Sequence, residues 1–149
     1  MHAYTRMPAS LRRHVRVLAV LVLALTVIST ASAAGSLYKG KVKAGGTLSF
    51  RTTATSVVGF KASPTVLCIS VATGGSFIEV HYLPLQTKKP LKNGHFTITF
   101  RGSSSTFITV TGTVKAKSAS GKIDVRYTTT IGTNIYACSQ KTTWTAKKV

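Results

Sequence analysis

Glu79 and Asp124 are the only two acids in the 149-residue chain, and that scarcity limits the chemistry it could perform. Cleaving a glycosidic bond usually takes two carboxyl groups facing one substrate, and these two are the whole supply. Asp124 stands two residues from both Lys122 and Arg126, an alternation that reads as an outward, charge-balanced strand face. Glu79 and His81 are spaced i, i+2, so on a strand their side chains point the same way. A metal would need a third ligand, for which His95 is the candidate, but no ligand-spacing motif joins the three. Serines are abundant, yet no G-x-S-x-G elbow accompanies His81 or His95. The glycine-rich turns follow strands and do not open helices, so no phosphate loop is implied. The expectation is a protein that is not an enzyme, with no catalytic residue, no metal site and no cofactor. An enzyme of unrecognised type, built on a cleft gathering Glu79, His81 and His95, is kept as an alternative.

The cations are the opposite case. The chain carries 20 Lys and Arg residues and a net charge of +18. Residues 1–33 hold four of those cations and neither acid, so residues 34–149 keep 16 cations against two acids, a net +14. Thirteen of the 16 are Lys, and the three Arg are Arg51, Arg101 and Arg126. Such a surface repels its own copies and attracts polyanions. Lys acts as a point charge and lacks the planar fork of Arg, so the expected recognition is loose and salt-sensitive. Lys39, Lys41 and Lys43 alternate along one strand face, and Lys88, Lys89 and Lys92 share one loop. These six are the candidate contacts for an anionic cell-wall polymer or another extracellular polyanion. No nucleic-acid-binding motif is present.

The elements that position these residues are strands. From residue 34 on, the sequence is rich in Thr, Val, Ser, Ile, Phe and Tyr, with Gly-bearing turns about every ten residues. No window has helical periodicity. Strands are expected over 37–42, 47–53, 56–62 (Val58 and Phe60 inward), 65–72, 77–83, 95–101, 107–116, 122–129 and 138–147. Residues 84–92 are expected to form an exposed basic loop or a crossover, 118–121 a tight connection, and Gly112 a bulge. Most aromatics fall on the inward period, while Tyr38, Tyr136 and Trp144 lie near element ends and are weak candidates for a stacking surface. Eight or nine short strands of this kind make an antiparallel β-sandwich, with a closed up-and-down β-barrel as the alternative.

Residues 1–33 read as a secretory signal peptide. Arg6, Arg12, Arg13 and Arg16 lead into an apolar run over 17–28, which is shorter than the roughly 20 residues of a spanning helix. The triplet Ala31-Ser32-Ala33 offers small residues for cleavage, after Ala33 or Ala34; an uncleaved anchor is the alternative. One secreted β domain, 34–149, would remain, monomeric or weakly associating and with no transmembrane segment. Its two cysteines, Cys68 and Cys138, are expected to join, as they usually do in exported domains.

Read in order, Tyr38-x-Gly40, Val58-Gly59-Phe60, Cys68, Lys92-Asn93-Gly94-x-Phe96, Val110-Thr111-Gly112, Ala119-Ser120-Gly121, Cys138 and Trp144-Thr145-Ala146 form a pattern. In it the chain resembles a group of small secreted all-β proteins of soil actinobacteria. The resemblance spans nearly all of 34–149. It implies export, a sandwich-like fold and a Cys68–Cys138 bridge, and it brings no catalytic residue with it. The expected function is therefore binding at the cell envelope or outside the cell through loose electrostatic attraction. The alternative is a small-molecule carrier, should the strands close around an apolar interior.

Overall fold

The computed structural model describes residues 35–85, 88–102 and 105–149; the expected leader 1–33 lies outside the described residues. The described chain is all-β. Its strands are β1 (Ser36–Val42), β2 (Thr47–Thr52), β3 (Ser56–Ala62), β4 (Thr65–Ser70), β5 (Ser76–Val80), β6 (Leu83–Leu85), β7 (Lys89–Pro90), β8 (His95–Arg101), β9 (Phe107–Val114), β10 (Ser118–Ile131) and β11 (Asn134–Lys148). Every pairing is antiparallel. The main path runs β6-β3-β2-β1-β11-β10-β9-β8 and curls into a nearly closed, barrel-like sheet. β7, paired to β3, meets β8 across the gap.

β11 is the seam of the molecule. One of its edges pairs with β10 along the whole hairpin, from Ser118↔Lys147 to Ile131↔Asn134. Its other edge is shared, with β1 along 144–148 and β4 along 136–139. The far half of the β10/β11 hairpin therefore carries β4 and β5 as a four-stranded wing.

Inside the body, the inward residues of the alternating strands are aromatic and branched. Phe50 lies 5.1 Å from Tyr38, 5.7 Å from Phe60, 5.9 Å from Phe96 and 5.8 Å from Trp144, centroid to centroid. Offset and edge-on ring pairs at such distances are favourable beyond their buried area. Tyr38 and Trp144 are thus core, not a stacking surface. Phe100 and Tyr82, by contrast, are exposed.

Two glycines make room for the largest ring. Phe96, Gly112, Gly121 and Trp144 fall in one register row across β8, β9, β10 and β11. A Cβ on Gly112 would lie 2.5 Å from Phe96 Cζ and 2.6 Å from Trp144 Cζ2, and one on Gly121 would lie 2.7 Å from the same Trp144 atom. Gly112 pairs in regular register and is not the expected bulge. The bulge is in β3, where Ser49↔Lys61 gives way to Arg51↔Val58, so two residues of β3 face Phe50 alone. Gly59 sits there at φ 60°, a conformation that costs glycine little. The bulge puts Val57 in the core beside Phe60, in place of the expected Val58.

Two expected loops are sheet. Residues 118–121 begin β10, and the turn precedes them, closed by Lys115 N–H donating to Ser118 O at 2.8 Å. In 84–92, β6 and β7 pair with β3 and bury Leu83 and Leu85; residues 86–87 within it are outside the described residues.

Candidate functional site

Alternation along β1 turns Tyr38 and Val42 inward and Lys39 and Lys41 outward. Register then brings in lysines distant in sequence. Lys39 stands directly opposite Lys147 on β11, and Lys41 opposite Thr145. On the other side Lys39 faces Ser49, which faces Lys61 on β3. The core ring of Tyr38 reaches out at its hydroxyl, which donates to Lys115 O at 2.9 Å and pins the β9–β10 turn over β1. Lys39, Lys41, Lys115 and Lys147, with Thr113, Ser118, Ser120 and Thr145, line an open groove of about 610 Å³. Lys39 and Lys61 line a neighbouring groove of about 410 Å³. Neither acidic side chain lines either groove.

The six lysines named from sequence do not form one cluster. Lys39 and Lys41 belong to this face, and Lys43 continues it, its N–H bonded to Thr143 O. Lys88, Lys89 and Lys92 lie beyond β2 and β3, where Lys89 opposes Val57 and Lys92 bridges to His95. Lys61, Lys115 and Lys147 were missed. Alternation marks Lys61 and Lys147 as outward, but no local pattern says that β11 runs beside β1.

Both acids are engaged elsewhere. Asp124 takes two hydrogen bonds from Arg126, at 3.0 and 3.1 Å, and lies 3.7 Å from Lys141. This is the charge-balanced outer face expected for Asp124, with Lys141 as its second cation in place of Lys122. Glu79 is on the face of the wing that also carries buried Val66 and Cys68. It accepts a hydrogen bond from the Tyr127 hydroxyl and lies 3.9 Å from His81 Nδ1. His81 stacks on Tyr127 with centroids 4.3 Å apart. Burial pushes the imidazole below its ordinary pKa, and the Glu79 charge opposes that shift in part.

Glu79 also approaches both cysteine sulfurs. Cys68 and Cys138 face one another across β4 and β11 and are joined as a disulfide, which removes both thiolates as ligands. His95 is remote from this corner. It is on the outward face of β8, where Nδ1 lies 3.0 Å from Thr113 Oγ1. The structure therefore does not bring Glu79, His81 and His95 together. Among the described residues, no helix is long and apolar enough to cross a membrane. Among family models, curated proteins and solved structures, nothing matches the chain.

Proposed function

We propose that this protein binds anionic polymer at the cell envelope or outside the cell, through the lysine face of β1 and β11. One observation carries the reading: Lys39 is set directly opposite Lys147, with Lys41 and Lys115 around the same groove and no Asp or Glu side chain lining it. Like charges opposed across a sheet destabilise it, by up to about 1 kcal/mol. Folding gains nothing from that pair, whereas a bound polyanion would relieve it. The ring-filled interior favours such a surface over a carrier's lined cavity. The oxidised cysteine pair is in keeping with work outside the reducing cytoplasm.

The test is co-sedimentation of the purified protein, expressed from the full chain, with isolated cell envelopes across a salt series. Counterion release by four lysine contacts predicts a slope of roughly −3 in log affinity against log salt. Lys39→Glu should weaken binding several-fold or more. The same substitution converts a repulsive cross-strand pair into an attractive one, so it should leave the fold as stable or raise stability by a few tenths of a kcal/mol. Binding that ignores both salt and Lys39→Glu refutes the reading.

A further inference from the structure

The wing differs from the body in charge. No Lys or Arg occurs between Lys61 and Lys88, or between Arg126 and Lys141, and those two segments contain all of β4 and β5 and the far half of the β10/β11 hairpin. In a domain of net +14, this whole region holds one acid, Glu79, and it lies on the face that also carries buried Val66 and Cys68. The opposite, open side is apolar. Leu67 pairs with Ile78, Ile69 with Ala137, and Val80 with Thr65. Val71 N–H bonds to Ile135 O, extending the surface toward the hairpin tip. These side chains lie open: Val71 is 70 %, Ile78 68 % and Val80 66 % exposed, with Leu67, Ile69 and Ile135 between 42 and 51 %.

Leu67, Ile69, Val71, Ile78, Val80 and Ile135 together expose on the order of 600 Å² of apolar side chain, the size that marks an interaction site on a monomer and close to the ~800 Å² each partner gives a standard interface. The nearest cation on that face is Arg126, beside Ser139, and Asp124 holds it. A membrane-seeking surface would set Lys and Arg next to its apolar residues. Here the border is Thr65, Ser76, Thr128 and Ser139.

From this segregation we infer that the open face of the wing is the contact surface for a second copy of the chain, the two sheets packing face to face. Among the described residues it is a broad face free of Lys, on which two strongly cationic copies can meet without opposing lysines. Two such sheets would pack about 10 Å apart, as the layers of a β-sandwich do. The cationic bodies still repel at longer range, so dimerisation strengthens as salt rises. That is opposite in sign to binding through the lysine face, so the two readings stand or fall separately.

The test is sedimentation equilibrium of the purified protein at low salt and at ~0.5 M salt, where the screening length falls to a few ångströms. The expected result is a monomer–dimer equilibrium whose dissociation constant falls several-fold with salt. Ile69→Lys and Ile78→Lys, both at exposed positions, should abolish the dimer while leaving the melting temperature within a few degrees. A protein that stays monomeric across the salt series overturns the proposal, as does a dimer indifferent to both substitutions. Flotation of monomeric protein with anionic phosphatidylglycerol vesicles, lost in Ile78→Lys, would overturn it in favour of a lipid surface.

Discussion

Substituting Gly112 by Ala tests the packing of the body most directly. The added Cβ would lie 2.5 and 2.6 Å from ring atoms of Phe96 and Trp144, where ordinary contact begins at 3.4 Å. Each ring would have to retreat by most of an ångström. Both rings already have close neighbours, with Phe50 and Phe60 within about 6 Å of Trp144, centroid to centroid. Overpacking of this kind costs about 3 kcal/mol at its upper end. Ala also restricts the unfolded chain, which returns roughly 0.4–1 kcal/mol. The net expectation is a loss of about 2 kcal/mol, or a fall in melting temperature on the order of 8 °C for a domain of this size. Thermal unfolding followed by far-UV circular dichroism measures it. The decisive comparison is the double-mutant cycle with Trp144→Phe, which removes the ring atom Cζ2 from the collision. In that background Gly112→Ala should cost at least ~1 kcal/mol less than in the wild type. A neutral Gly112→Ala, or strict additivity with Trp144→Phe, would refute the account of why glycine stands there.

Other outcomes follow from the wing. Replacing both Cys68 and Cys138 by Ala opens a loop with a sequence separation of 70, and chain-entropy arithmetic puts the loss near 4 kcal/mol. Urea unfolding would show this as a lower midpoint, and a loss under about 1 kcal/mol would refute it. His81 should make stability depend on pH. Its folded pKa is below the ordinary value of 6.5, so between the two values the unfolded chain binds more protons. Stability from this group is therefore complete above about pH 6.5 and declines as the pH falls toward the lowered folded pKa. His81→Gln should flatten that decline in denaturation curves taken from pH 7 to 5, and an unchanged slope would exclude His81 as its source.

What could be read from the sequence was local. Period-two alternation over 95–101 matches the bounds of β8, although Phe100, on the expected inward period, is exposed. The disulfide was expected from two cysteines in a chain read as exported, and Cys68 and Cys138 are joined. The Val57/Val58 exchange was hidden because a one-residue bulge shifts a strand's faces without changing its composition. Apolar residues over 66–71 fit a strand buried on both sides as well as one open on its outer face, and only the pairing shows Leu67 and Ile69 uncovered. The lysine face was half legible. Lys39 and Lys41 could be found by alternation, whereas Lys115 and Lys147 are placed by pairing with strands far away in sequence.

The central position of β11 has a consequence for how the molecule is made. Of the described strands β11 emerges last during synthesis, yet β1, β4 and β10 all pair against it. Until it emerges, β1 has only β2 and β4 only β5, and neither small meander can close a core. Loops this long close slowly, because their entropy is lost before any contact offsets it. With its sheet joined only through β11, the body is expected to collapse in one late step, once that strand is free to pair. The same order leaves the apolar residues of β4 and β5 uncovered throughout that interval, when chaperone binding would matter most.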